Sequence, residues 1–187
     1  MSRKLLVSAI CLLMGGIAHG ADFTIDRDHA FVLFKIKHVG IGYVHGRFNN
    51  FSGSFTTDAD DKLASVSLRI RANSVDTGVV QRDSDLNGAT FLNTAQYPTI
   101  EFASTAVTQD EESGHYTVVG NMTLHGVTRE VSAIVKEVGA GLDPWDNYRM
   151  GGEGTFTISR SDFGMVQGTQ YAGDEIVITL AFEGVRR

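Results

Sequence analysis

Apolar and polar side chains alternate along most of the chain. Between Ala30 and His38, Val32, Phe34, Ile36 and His38 fall on one face, with Lys35 and Lys37 on the other. Between Ser65 and Ala72, Val66, Leu68, Ile70 and Ala72 oppose Ser65, Ser67, Arg69 and Arg71. Tyr116, Val118, Met122 and Leu124 oppose Thr117, Asn121, Thr123 and His125. Ile176, Ile178, Leu180 and Phe182 oppose Val177, Thr179, Ala181 and Glu183. A period of two is the signature of a half-buried β-strand. Weaker alternation predicts further strands over 22–26, 46–56, 99–107, 129–138 and 150–159. Phe48 differs in parity from Phe51 and Phe55, so Asn49-Asn50 is expected to be a bulge that resets the register. Parity alone leaves open whether Phe48 or Phe51 points inward.

Turn residues separate these runs. Asp58–Lys62 and Gln109–Gly114 read as polar hairpin loops, and His125-Gly126 as a tight turn. Gly139-Ala140-Gly141 with Asp143-Pro144 reads as a longer connection, with Trp145 as its anchor. Only Val79–Asn93 looks helical, and it ends before Tyr97-Pro98. Eight or nine sequential strands with short turns predict an all-β closed barrel or sandwich. Eight strands is the size at which a barrel either fills with its own side chains or holds one slim ligand. The inward faces carry small residues (Gly53, Ala72, Gly120, Ala133, Gly152, Gly154) beside large ones (Phe34, Phe102, Phe156, Phe182). That mixture fits tight packing or a space for a guest, and the residues leave both open.

The first twenty residues have a different pattern. Arg3 and Lys4 precede an apolar run from Leu5 to Met14, and Ala18 and Gly20 are small residues at the positions a signal peptidase reads. This predicts a cleaved leader over 1–20 and a single domain over 21–187. The run is too short to span a bilayer as a helix. Its removal takes away Arg3, Lys4 and the one cysteine, Cys11. The exported chain then has no thiol and carries 22 Asp+Glu against 14 Lys+Arg, a net charge of -8. An acidic balance disfavours a nucleic-acid partner held through phosphates.

Candidate chemistry is sparse. There is no HExxH motif, no GxSxG elbow and no glycine-rich phosphate loop. No metal site, cofactor or catalytic constellation is expected. Asp162-Phe163-Gly164 is expected to be a turn, and Arg160 and Asp162 a surface pair of little weight. Asp83 and Asp85 read as a solvated helix face or a cap. His38, on the face of Phe34 and Ile36, is either a strand-end residue reaching solvent or a polar anchor at a cavity mouth.

The order and spacing of several short segments carry a resemblance. They are the His29-Ala-Phe-Val and Phe34-Lys-Ile-Lys-His-Val-Gly40 opening, Gly46-Arg-Phe48, and Phe51-Ser-Gly-Ser-Phe55. Ser74-Val-Asp-Thr77, Arg82-Asp83 with Asp85-Leu86, and Phe91-Leu-Asn93 before Tyr97-Pro98 follow. Gly120-Asn-Met-Thr-Leu124 and Arg160-x-Asp-Phe-Gly-Met165 complete the series. Through nearly all of residues 21–187 the chain resembles the YceI-like family of exported, lipocalin-like polyisoprenoid-binding proteins.

The resemblance implies an elongated eight-stranded antiparallel barrel with a short helical segment. It implies an apolar tunnel for a polyisoprenoid, such as a quinone or its precursor, or another long-chain amphiphilic lipid. It implies a periplasmic carrier rather than an enzyme. The alternative is an exported enzyme or redox accessory that acts on or delivers an isoprenoid quinone. Family members are often dimeric, so a homodimer and a transient membrane contact are open as partners. The matching interior positions are Phe34, Ile36, Phe48, Phe51 and Phe55 in the first half. Phe91, Phe102, Met122, Leu124, Phe156 and Phe163 follow. His38 and Asp85 are added as polar contacts at the tunnel entrance.

Overall fold

The computed structural model describes residues 20–187. The expected leader, apart from Gly20, lies outside the described residues. Eleven strand segments build the wall: β1 (Asp22–Ile25), β2 (Phe31–His38), β3 (Gly42–Phe48), β4 (Phe51–Thr57), β5 (Leu63–Arg71), β6 (Val75–Asp76), β7 (Thr99–Gln109), β8 (Tyr116–Leu124), β9 (Val127–Leu142), β10 (Tyr148–Ser159) and β11 (Ala172–Arg186). They make eight staves, because β1 with β2, β3 with β4, and β5 with β6 are each one stave interrupted by a short irregular step. Every stave pairs antiparallel with the next in sequence. The last strand returns to the first stave, with β11 pairing β2 over Ala172–Ala181 and β1 over Gly184–Arg186. The result is a closed eight-stranded antiparallel up-and-down barrel with one short helix, α1 (Val80–Asn87). Closure leaves no free sheet edge around the wall.

The break at Asn49-Asn50 is held rather than loose. Asn49 N–H donates to the Ser74 carbonyl (3.0 Å), Asn50 N–H to Ser74 Oγ (3.0 Å), and Arg71 N–H to the Asn50 carbonyl (2.8 Å). Asn49 Nδ2 donates to Asp76 Oδ2 at 3.0 Å, and this bond is the main reason the Asp76 carboxyl titrates below its ordinary value. The break resets parity, so Phe48 and Phe51 both face inward. At His125-Gly126 both residues have positive φ (53° and 75°), which is the geometry a two-residue hairpin requires.

Three sequence expectations are corrected. Gly139-Ala140-Gly141 is not a connection: β9 continues through Leu142, and Gly139 and Gly141 pair with Gly151 and Arg149. The alternation is hidden there by an irregularity in the ladder between Gly151 and Gly152. Trp145 anchors nothing and is 75% exposed in the short loop that remains. Arg160 and Asp162 are not a surface pair, since Arg160 is buried and bonds to backbone carbonyls.

The barrel has a filled end and a hollow end. At the filled end Phe23 and Phe55 stack with centroids 4.7 Å apart, Phe182 meets Phe55 edge-on at 5.5 Å, and Tyr148 lies 6.3 Å from Phe23. Leu63, Tyr116 and Met150 complete this cluster. Burial pushes the Tyr116 phenol above its ordinary pKa. The plug needs Gly184, because a Cβ there would overlap the Phe55 ring. Outside it, Arg149 ties three parts of the chain together. Its guanidinium donates to Asp143 (2.7 Å), Asp26 (2.7 Å) and Glu183 (3.3 Å), and His29 Nδ1 lies 2.9 Å from Asp26. The Arg149 guanidinium, helped by His29, holds the Asp26 carboxyl down at about 2, and Arg149 likewise holds Asp143 well below the ordinary carboxylate range.

Two predictions follow from this end of the molecule. Gly184→Ala forces a methyl into a packed ring stack, and should cost about 1–3 kcal/mol by denaturant unfolding; an unchanged midpoint would refute the plug. A carboxyl whose pKa is depressed on folding contributes stability above its unfolded value, near 3.8, and loses it as the pH falls through the folded value. Wild-type stability should therefore drop between pH 4 and pH 2. Arg149→Met should be less stable at pH 7 and show a shallower drop over the same window, as read by thermal melts.

Candidate functional site: an apolar cavity with one closed end

Above the aromatic plug the inward-facing side chains pack into a second apolar cluster that leaves a space between them. They surround a cavity of about 180 Å³. All staves contribute inward residues, by the parity that period-two alternation dictates. Val32, Phe34 and Ile36 come from β2, and Phe48, Phe51 and Phe55 from β3 and β4. Leu68 and Ile70 come from β5, Phe102 from β7, and Met122 and Leu124 from β8. Phe156 on β10 and Ile176, Ile178 and Leu180 on β11 close the ring. Among the described residues, the ionisable ones at its boundary are Glu101 and Arg160. Glu101 is drawn outward by an ion pair with Arg69. Small residues hold the space open: Ala133 and Gly154 lie on the wall, and a Cβ at Gly120 would overlap the Phe102 ring.

The end away from the plug is roofed by two segments. The first is α1 and the turns after it, which bring Leu86, Phe91 and Leu92 to the cavity. Asp83 fastens the start of this segment by accepting from Thr77 N–H (2.8 Å) and Thr77 Oγ1 (2.6 Å). The second is the 164–171 loop. Buried Arg160 holds it by donating to the carbonyls of Met165 (2.8 Å), Gln167 (2.7 Å), Gly173 (3.0 Å) and Ala172 (3.4 Å). Arginine suits this task because its five N–H groups fan out in a fixed plane. The two segments meet where Gly168 approaches the Phe91 ring, within 3.0 Å of where a Cβ would stand.

The sequence-predicted interior set divides clearly. Phe34, Ile36, Phe48, Phe51, Phe55, Phe91, Phe102, Met122, Leu124 and Phe156 line the cavity. Phe163 does not: it is buried in the 3-10 turn Arg160–Phe163, where its carbonyl lies 3.2 Å from His125 Nδ1. His38 is exposed at the tip of β2, paired with Gly42 and Ala172, and is off the cavity. The alternation placed it on the correct face, but the wall ends before it reaches the interior. Asp85 is also off the cavity, exposed on α1, where it accepts from Gln81 Nε2 at 3.0 Å. Sequence reasoning missed Arg160. A lone arginine bonded to carbonyls leaves no pattern in composition or spacing. Among the described residues no group of three His, Cys, Asp or Glu is placed to hold a metal ion.

What this arrangement can do chemically is narrow. The wall offers dispersion contact and exclusion of water, with almost no donor or acceptor. A dry apolar cavity of roughly 150 Å³ can hold a benzene-sized molecule, so this one has room for a hydrocarbon segment.

Comparison with known proteins agrees with this geometry. Residues 23–184 match the YceI-like domain. A UPF0312 protein of Pseudomonas aeruginosa is 42% identical over 179 residues, covering 94% of this chain and 93% of the relative. One of Pectobacterium carotovorum is 40% identical over the full length of both chains. Among solved structures, Burkholderia cenocepacia BcnA superposes with a TM-score of 0.74 at 24% identity, covering 85% of this chain and 98% of that one. A polyisoprenoid-binding domain from Saccharophagus degradans, implicated in plant cell wall breakdown, superposes with a TM-score of 0.65 at 16% identity, covering 88% and 98%. With a domain match over residues 23–184 and relatives at about 40% identity along the whole chain, the chain belongs to the YceI-like domain family.

Proposed function

We propose that this protein is an exported carrier of a long-chain amphiphilic lipid, taken tail-first into the cavity, with a polyisoprenoid tail such as that of a quinone or its precursor as the preferred cargo. The observation that carries the reading is a hydrocarbon-lined cavity closed at one end by packed aromatic rings. Such a site stabilises a chain that is costly to leave in water, at about 25 cal/mol per Å² of apolar surface covered. The lipid-binding description of the Saccharophagus domain, which shares the fold, supports the same class of ligand. The leader-like pattern of residues 1–20 supports export to the periplasm.

The resting volume sets a condition on this reading. At about 180 Å³, the cavity is smaller than the roughly 300–1,000 Å³ of drug-sized sites. A long tail therefore enters by displacing side chains. The Phe34 and Phe48 rings, half-buried and 5.6 Å apart, are less enclosed than the Phe23 and Phe55 rings of the floor. The floor rings are fixed by their stack. The tail consequently threads from the roofed end, and a polar head stays near the roof. Among the described residues the cavity wall is almost wholly apolar, which supports binding of a hydrocarbon chain.

Protein purified without detergent, denatured and extracted into organic solvent should release a long-chain lipid detectable by mass spectrometry. Ile178→Trp, which places an indole into the void, should lower lipid occupancy at least tenfold. Ile134→Trp, on the outer face, should not. Repeated absence of lipid in the wild type, or equal occupancy in Ile178→Trp, would defeat the carrier reading.

A further inference from the structure

The two segments that roof the cavity are held in different ways. Polar bonds tie the 164–171 loop to the barrel. Arg160 donates to the carbonyls of Met165 and Gln167 within it and of Ala172 and Gly173 just after it. The Tyr171 carbonyl also accepts from Val39 N–H (2.9 Å). The segment that carries α1 has no such ties. Among the described residues, the hydrogen bonds of residues 77–97 stay within 77–97, apart from one at its start from Gly78 N–H to Asp76 Oδ1 (2.9 Å).

Those internal bonds make the segment one body. Thr77 is clasped to α1: it donates twice to Asp83 Oδ1, and Arg82 Nε and Nη2 donate to its Oγ1 (2.7 Å) and its carbonyl (2.9 Å). The turns after α1 fold back onto the helix. Leu92 N–H donates to the Leu86 carbonyl (2.9 Å), Thr94 N–H to the Asn87 carbonyl (3.1 Å), and Tyr97 N–H to the Asn93 carbonyl (2.9 Å).

Its attachment to the barrel is apolar and slight. No residue of α1 is buried, and Leu86, Phe91 and Leu92 reach the cavity only half-buried. The side chains of Phe91 and Thr90 lie 3.0 and 3.8 Å from where a Gly168 Cβ would stand. The two ends are better held. At the first, Gly78 turns the chain out of β6 with a positive φ of 78°. At the second, the Tyr97 ring packs on Gly126 and lies 4.6 Å from the His125 ring, and the Pro98 carbonyl accepts from Ala72 N–H (3.0 Å). Lifting the middle of the segment therefore breaks no hydrogen bond to the barrel and strands no buried donor or acceptor. A unit with few buried contacts and its polar groups satisfied internally opens at low cost.

We infer that residues 77–97 form a lid that lifts as one body between joints at Asp76–Thr77 and Tyr97–Pro98, while the 164–171 loop stays in place as the fixed side of the mouth. The inference rests on the carrier reading and adds which part of the roof admits the tail. When the lid closes over a tail, Leu86, Phe91 and Leu92 gain contacts with it, so bound cargo favours the closed form. Short joints at the ends of a bonded unit are the usual place for such a hinge.

Residues 20–187 contain no cysteine, so a thiol pair introduced into the leaderless chain forms a single, reversible tether. In the double variant Thr90→Cys, Gly168→Cys, the tether joins the lid to the fixed loop. Oxidised, this variant should take up an apolar fluorescent dye roughly tenfold more slowly than when reduced, and the reduced form should load as wild type does. Amide hydrogen exchange in the wild type assigns the motion to one segment. The amides of Asp83, Leu92 and Tyr97 should open together, roughly tenfold faster than those of Met165 and Tyr171, and should slow when dye is bound. Equal loading by the oxidised and reduced forms overturns the lid. So does exchange at Met165 and Tyr171 as fast as within 77–97, which would move the gate to the loop. A wild type that takes up no dye removes the carrier reading, whereas dye uptake that the tether leaves unchanged removes the lid alone.

Discussion

The seam where the last strand meets the first holds this molecule in shape. β11 pairs with β10 along one edge and with both β2 and β1 along the other. Across the same seam Arg149 on β10 pairs with Asp26 and Arg187 Nε donates to Thr24 Oγ1, while residues 20–187 contain no cysteine that could staple it. Closure therefore rests on backbone hydrogen bonds, these side-chain contacts and whatever fills the barrel behind them. The Phe23–Phe55 stack fills it at the point where β1, β4 and β11 come together. One aromatic cluster thus both secures the seam and gives the cavity its floor. The half that holds the cavity has a buried apolar cluster of its own, with Val32, Phe51, Leu68, Ile70 and Leu124 packed around the space.

Much of this was legible in the sequence, for a simple reason. Strand parity is a local property, and it reports which way a side chain points. That is how Phe34, Ile36, Met122 and Leu124 could be assigned inward positions, and how the parity clash between Phe48 and Phe51 exposed the break between β3 and β4. Parity says nothing about height along the barrel axis. Phe55 and Phe34 both point inward, yet one belongs to the floor stack and the other lies toward the roof. His38 obeys the same parity, but sits beyond the rim of the wall. Phe163 and Asp85 lie outside strands altogether, where alternation carries no information.

Arg160 shows a different limit. Its partners are carbonyls, which every residue possesses, so nothing in the sequence marks them as acceptors. Its neighbour Asp162 offered the obvious ion pair, and the chain did not use it. A guanidinium that gathers the carbonyls of residues 165, 167, 172 and 173 fixes a loop without adding a carboxylate at the cavity boundary. The interior keeps its apolar character as a result. The glycines of β9 misled for a related reason: Gly139 and Gly141 read as a turn by composition, but strand pairing with Gly151 and Arg149 outweighs local preference.

The asymmetry between the two ends connects fold to function. A barrel filled along its whole length would have no place for a guest. One open at both ends would admit water and leave a bound tail partly wetted. A floor of stacked rings closes the deep end and keeps it dry, which leaves the roofed end as the side of entry proposed above. The cost of leaving the resting cavity empty is low, because at about 180 Å³ it is small, and side chains that move aside for a tail regain its contacts. Affinity in such a site grows with the length of hydrocarbon it covers, while the ordering of tail and side chains takes back a large share. That partial cancellation suits the carrier role proposed above, which requires release as well as binding.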